Sequence, residues 1–247
     1  MRFPFTLWLL LAALAVPGRA ADRGWINLSQ DPHLAAWQKP TGQWFLTDKV
    51  EVDPNNPRRL KAKPGQGAIL VNGPTGRTPD IHTKASFKDV EVHTEFLIPK
   101  GSNSGIKLEG WYEIQIYDSY GVKKLSGSDC GGIYPRAEME PVYHHIDDGV
   151  PPLVNASRRP GEWQTLDIIF QAPRFDEDGK KIANARFVKV VLNGQVVQDN
   201  VEVKTPTGNN WRNQEIPTGP VLLQGDHGPV AFRNLRIRPY RGEDKKK

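Results

Sequence analysis

The chain is expected to be all-β: one antiparallel domain of many short strands, closed as a sandwich or a barrel. Three observations predict this. Apolar and polar residues alternate with a period of two, most clearly where Val90, Val92, Thr94, Phe96 and Ile98 interleave with Glu91, His93, Glu95 and Leu97. Clusters of Gly, Pro, Asn and Asp separate such runs at short intervals. No segment beyond the first twenty residues shows the 3.6-residue period of a helix.

Taken in order, residues 22–40 form an ordered opening segment carrying Trp25, Ile26, Leu28, Leu34 and Trp37. Trp44–Leu46 and Val50–Val52 read as short strands, with Asp53–Pro57 as a turn. Leu60 and the run Ala68–Val71 follow, then a Gly/Pro loop from Asn72 to Pro79 and a candidate strand at Ile81–Lys84. Next comes the alternating run at 90–98, then a hairpin over 106–117. Residues 119–161 are rich in Gly, Pro, Asp and His and too long for an idle connection, so they are expected to carry function or form a lid. Strands resume at Trp163–Phe170, Arg186–Leu192 and Gln195–Val203, the last two joined by the type I′ signal Asn193-Gly194. A second loop spans Thr205–Thr218. Val221–Gln224 and Val230–Ile237 close the domain around the turn Gly225-Asp226-His227-Gly228-Pro229.

Arg2 followed by the apolar run Phe3–Val16 and by Pro17-Gly18-Arg19-Ala20 reads as a secretory leader, residues 1–20, cut after Ala20. The run is too short for a stable membrane span, and no Cys follows the cleavage point to take a lipid. The expectation is therefore an exported chain, periplasmic or extracellular, with residues 21–247 as a single domain. The formal charge of +5 falls by two on loss of Arg2 and Arg19, and Lys245–Lys247 hold much of the rest. No basic stripe with interleaved aromatics is present, which argues against nucleic acid as a partner. The lone cysteine, Cys130, has no disulfide partner and is expected to be a small buried residue.

The stretch NSGIKLEGWYEIQIYDSYG, residues 103–121, is the most informative. Ile106–Leu108 is one strand, Glu109-Gly110 a turn and Trp111–Tyr117 the next strand. Tyr112, Ile114 and Ile116 share the face a core would take, whereas Glu113, Gln115 and Tyr117 share the other. A row of carboxylate, amide and phenol differs from an ordinary solvated face and suits a polyol, which needs hydrogen-bond partners and flat apolar surface together.

With CGGIYPRA, PGEWQTLDI, VVLNGQVV and LLQGDHGPVAFRNLRIRP, that stretch resembles the 3-keto-disaccharide hydrolase domain family over roughly residues 24–239. The resemblance implies a concanavalin-like, jelly-roll antiparallel β-sandwich and cleavage of glycosidic bonds in sugars oxidised to a ketone at C3. A C3 ketone acidifies the C2 hydrogen, so a base can form an enolate, the C1 leaving group can depart and water can add. Direct hydrolysis by two carboxylates is the competing route.

On that chemistry Glu113 is the candidate base and His227, on its glycine-framed turn, the candidate acid/base partner. Lys107 is a candidate to face the enolate oxygen, its orientation depending on strand register. Gln115, Tyr117, Tyr134, Arg136 and Gln224 are candidate substrate contacts, the alternative for Tyr134 and Arg136 being loop anchoring. Asp118 either ligates a metal, with Ca²⁺ or Mn²⁺ favoured by an oxygen-rich set, or caps the turn at Ser119. His144-His145-Ile146-Asp147-Asp148 lacks regular ligand spacing and reads better as a polar lid. The partner is an oligosaccharide or glycoside. The same fold also serves as a lectin-like carbohydrate-binding module, or as an exported structural protein whose groove is vestigial.

Overall fold

The computed structural model describes residues 24–242 apart from 31, 32, 40 and 74. The leader expected at 1–20 and the lysines at 245–247 lie outside the described residues. The strands run β1 (Ile26–Asn27), β2 (Phe45–Thr47), β3 (Val50–Asp53), β4 (Asn56–Ala62), β5 (Ile69–Val71) and β6 (Ile81–Phe87). They continue through β7 (Val90–Leu97), β8 (Asn103–Leu108), β9 (Tyr112–Tyr117), β10 (Ala137–Glu138), β11 (His144–His145) and β12 (Gln164–Gln171). The last six are β13 (Arg174–Phe175), β14 (Lys181–Ala183), β15 (Ala185–Leu192), β16 (Gln195–Val203), β17 (Gly219–Leu223) and β18 (Ala231–Pro239). No helix occurs among the described residues.

Two antiparallel sheets form a jelly-roll sandwich. The larger has the order β16-β15-β12-β7-β18-β5-β2, with β1 also on β18; the smaller has the order β6-β17-β8-β9. Alternation decides what lies between them. Val90, Val92 and Phe96 of β7 and Leu166, Ile168 and Phe170 of β12 enter one core with Ile106, Leu108, Tyr112, Ile114 and Ile116 of the β8–β9 hairpin. The Tyr112 and Phe170 rings meet at 5.3 Å between centroids and join the layers. Each such apolar side chain contributes on the order of 1.5–3 kcal/mol by leaving water. The β3–β4 ribbon covers a second cluster on the other side of the larger sheet, where Val50 and Leu60 pack with Val71, Leu97 and Ala231.

The hairpin register follows the sequence reading: Ile114 and Ile116 are fully buried. Its turn, closed by Trp111 N–H donating to Leu108 O at 3.0 Å, places both Glu109 (φ 54°) and Gly110 (φ 76°) in the left-handed region, as a type I′ turn demands, and Trp111 belongs to the loop, since Leu108 pairs with Tyr112. Cys130 is buried, and burial pushes its thiol up to about 11. Other expectations need correction. The turn expected over 53–57 is tighter, because Asn56 and Pro57 already belong to β4; Pro57 is tolerated in a two-stranded ribbon that asks little of its missing N–H. The excursion at 119–161 is less irregular than its composition suggests. Ile133 bridges both Ile114 and Val150, the Gln115 N–H donates to Gly132 O at 2.9 Å and the Tyr134 N–H to Glu113 O at 3.1 Å. The smaller sheet thus continues past β9 into the excursion.

At the turn end of the hairpin the Tyr112 hydroxyl donates to Glu215, which also accepts from Lys181 Nζ at 2.5 Å. Beside them the Glu109 carboxylate is buried with neither oxygen hydrogen-bonded. Burial, then the nearby Glu215 and Asp89 charges, push it up to about 8.

Candidate functional site

The face of the smaller sheet turned away from the core carries a cleft of about 720 Å³. Strand register arranges its floor in rows. His82, Leu222, Lys107 and Glu113 lie side by side across β6, β17, β8 and β9, since Leu222 pairs with both His82 and Lys107, and Lys107 pairs with Glu113. In the next row Gly105 stands between Gln115, its partner on β9, and Gln224, whose N–H donates to Gly105 O at 3.0 Å. Asn103 follows one step along β8, opposite Tyr117.

Glu113 is 3% exposed, and Lys107 Nζ stands 3.7 Å from its Oε2. The carboxylate has room because residue 105 is glycine: a Cβ there would lie 2.1 Å from Glu113 Oε1. Burial raises the Glu113 pKa above the usual carboxylate range; Lys107 and His227 oppose the shift, and Asp80 reinforces it. Three further floor atoms, Asn103 Oδ1, Gln115 Oε1 and Gln224 Oε1, are buried without a hydrogen-bond partner. Buried acceptors left unpaired cost free energy, and a ligand with hydroxyl donors would satisfy them.

His227 reaches the same cleft from the turn between β17 and β18. Its Nδ1 pairs with the Asp226 carboxylate, and its side chain is about half exposed. The turn is anchored by a residue far away in sequence. Asn72, fully buried, donates from Nδ2 to Gly225 O at 2.9 Å and Gly228 O at 2.8 Å, and its Oδ1 accepts from Val230 N–H at 2.8 Å. Asp80 Oδ1 accepts from Gly225 N–H at 2.8 Å. Gly228 must be glycine, since a Cβ would meet Ser102 Oγ at 2.4 Å and Asn103 N at 2.8 Å.

The walls come from loops. Tyr134, Met139 and Tyr143 belong to the excursion, where the Tyr134 and Tyr143 hydroxyls are 3.0 Å apart and His145 Nε2 is 3.1 Å from the Tyr134 hydroxyl. Asn209 and Asn210 come from the second loop, tied to the first where Ala137 N–H donates to Gly208 O at 2.9 Å.

Of the residues singled out from sequence, Lys107, Glu113, Gln115, Tyr134, Gln224 and His227 line this one cleft. Tyr117, Asp118 and Arg136 do not. Tyr117 ends β9, half-buried. Asp118 accepts from Gly101 N–H at 2.8 Å, tying down the β7–β8 loop. Arg136 Nε donates to Asp147 Oδ2 at 2.6 Å, and its guanidinium lies 5.5 Å from the Trp211 ring centroid, which is loop anchoring. Among the described residues no group of three or more His, Cys, Asp or Glu is arranged to hold a metal ion. His144 and His145, successive in β11, bond to different partners, Val142 O and the Tyr134 hydroxyl. Asn72, Asp80, His82, Asn103, Asp226 and the wall residues Met139, Tyr143, Asn209 and Asn210 were not anticipated. Asp80 and His82 could have been: Ile81 in the core sets its two neighbours on the opposite face.

Residues 24–238 match the family model described as the 3-keto-alpha-glucoside-1,2-lyase-like domain. No curated protein matches the chain. Among solved structures, a candidate glycosyl hydrolase from Parabacteroides distasonis ATCC 8503 is 29% identical, with a TM-score of 0.64 over 88% of this chain and 84% of its own. A second candidate glycosyl hydrolase from the same organism is 19% identical, with a TM-score of 0.52 over 87% of this chain and 99% of its own, and shows the fold alone.

Proposed function

The chain belongs to the 3-keto-alpha-glucoside-1,2-lyase-like domain family, and we propose that it is an exported carbohydrate-active enzyme that cleaves the glycosidic bond of 3-keto-glycosides, 3-keto-disaccharides among them. The family and the more similar of the two hydrolase structures support a hydrolase- or lyase-like role. Export rests on the leader read in residues 1–20.

The observation that carries the proposal is the Glu113–Lys107 pair, sunk in a floor of unpartnered amide oxygens. Taking a carboxylate and an ammonium out of water costs several kcal/mol per ion, so the pair is a poor device for stability alone. The amides answer the hydroxyls of a sugar. A lectin-like module would need those acceptors but not the buried acid–base pair.

In the proposed reaction Glu113 takes the C2 proton, and the electron pair moves onto the C3 oxygen as an enolate faced by the Lys107 ammonium. The C1–O bond then breaks, and His227 gives a proton to the departing oxygen, its Nδ1 engaged by Asp226 so that Nε2 is left to act. Water adds to the unsaturated sugar, and Glu113 returns its proton to C2. The raised Glu113 pKa suits both duties, since it makes a stronger base when ionised and a competent acid afterwards. Elimination across C1 and C2 agrees with the 1,2-lyase activity in the family's description.

Incubation with a panel of 3-keto-glucosides, following released aglycone, tests the proposal. Glu113→Gln keeps the shape and removes the base; the expected loss in turnover is about 10²–10⁴-fold. His227→Ala is expected to lose less, because water can stand in for a half-exposed donor. Wild-type-like cleavage by both variants would remove the assignment.

A further inference from the structure

The floor row has a second titratable end. His82 lies on the other side of Lys107 from Glu113, with only Leu222 between. Adjacent strands are about 4.8 Å apart, so the backbones of His82 and Glu113 are separated by roughly 14 Å, with the Lys107 strand within that span. Lys107 lies between them along the row, and all four side chains line the cleft.

His82 is also held in place. Its strand is the edge of the smaller sheet, but the edge is covered: Gln38 N–H donates to His82 O and Lys84 N–H to Ala36 O, both at 2.8 Å. The imidazole is half-buried on this supported strand, whereas His227 sits on an exposed turn and is engaged by Asp226. The charged or titratable groups sharing its cleft are Asp80, Lys107, Glu113, Tyr134, Tyr143, Asp226 and His227. Burial and the Lys107 charge lower its pKa against the opposing pull of Asp80, which keeps the ring neutral and able to accept a proton near pH 7.

A ketone is flanked by two carbons, and it acidifies the hydrogens on both. With the C3 oxygen at Lys107, a base on one side addresses C2 and a base on the other addresses C4. We infer that His82 is a second proton-transfer group of this cleft, acting on C4, so that a bound 3-keto sugar enolises in both directions. This rests on the proposed function. In the step assigned to His82, the C4–H proton goes to the imidazole nitrogen, the C–H electron pair forms the C3–C4 enolate, and its oxygen carries the negative charge beside the Lys107 ammonium. No carbon–oxygen bond breaks. The imidazolium exchanges its proton with solvent and returns one to C4, so the net event in D₂O is replacement of H-4 by deuterium.

The test is proton NMR of a 3-keto-glucoside in D₂O, following the H-2 and H-4 signals and the released aglycone in one sample. Wild-type protein is expected to wash out H-4 at least tenfold faster than buffer alone. The ratio of H-4 to H-2 exchange is expected to rise in Glu113→Gln and to fall about 100-fold in His82→Gln, with His82→Asn as a second variant. A ratio needs no knowledge of how much protein is folded, and the wild-type measurement decides even if neither His82 variant folds. Aglycone release by wild type with H-4 exchange no faster than buffer would overturn this inference and leave the proposed function standing. H-4 exchange undiminished in a folded His82 variant would overturn it too. Absence of both release and exchange at either carbon would overturn the proposed function along with it.

Discussion

Asn72→Ala tests how the cleft is held together. The substitution removes three hydrogen bonds of 2.8–2.9 Å from a fully buried amide that clamps the Gly225–Val230 turn. Each such bond contributes about 1 kcal/mol net, and each buried group left unpaired costs about 1–3 kcal/mol. Gly228 O and Val230 N–H are orphaned together, whereas Gly225 O keeps the Thr78 N–H at 3.2 Å, and some of the freed groups will find water as the turn loosens, so a loss of roughly 3–5 kcal/mol is expected. For a domain of this size that corresponds to a fall in Tm of roughly 10 °C. Thermal and urea unfolding measure it. Turnover at a temperature where the variant is folded should also fall, because the same turn carries His227. Leu60→Ala, in the outer ribbon and expected to lose a comparable about 2–5 kcal/mol, controls for stability and should leave turnover near wild type. A loss below about 1 kcal/mol, or equal turnover in the two variants, would refute the clamp.

Gly105→Ala should cost some stability, since the added methyl would lie 2.1 Å from Oε1, 2.9 Å from Cδ and 3.0 Å from Cγ of Glu113, a buried side chain paired with Lys107. It should cut turnover about 10²-fold by displacing that carboxylate; unaltered turnover would mean that Glu113 acts from elsewhere. Glu109→Gln addresses stability against pH. The folded pKa of about 8 lies above the unfolded value of about 4.5, so the wild-type contribution is complete below about pH 4.5 and declines up to about pH 8. The variant lacks that decline, and from pH 5 to 8 its stability relative to wild type should climb by about 1.4 kcal/mol per unit. Parallel stability–pH curves would show that Glu109 ionises freely. In the proposed reaction Glu113 acts as the ionised base and its pKa is raised, so activity should have an acid limb above the normal carboxylate range; a rate–pH profile with its limb near pH 4 would contradict this.

The alternation of Tyr112, Ile114 and Ile116 with Glu113 and Gln115 made both faces of β9 legible, because a strand's facing is a local property. His227 was legible for a similar reason, framed by glycines within its own turn. What failed was anything settled by partners far along the chain. Asn72 looks like a loop residue until Gly225 and Gly228, 153 and 156 positions later, supply the carbonyls it binds. Arg136 lies between a cleft and an anchoring pair, and its choice of Asp147 depends on how the excursion folds back. Register across β6, β17 and β8 brings His82 into the same row as Lys107, and no short-range pattern encodes that pairing.

The place of β18 has a consequence for how the molecule comes into being. Residues 231–239 occupy an inner position of the larger sheet, between β7 and β5, rather than an edge. Both neighbours precede β18 in the chain by more than 130 residues, so until it inserts they face each other across an open slot with unpaired backbone groups on either side. Local hairpins such as β8–β9 and β15–β16 can form while synthesis is still under way, but the sheet itself cannot close. Such long-range pairing is slow. The nascent chain therefore stays an unclosed shell until β18 has been made, and the Asn72 clamp, which needs Val230 at the threshold of β18, closes with it.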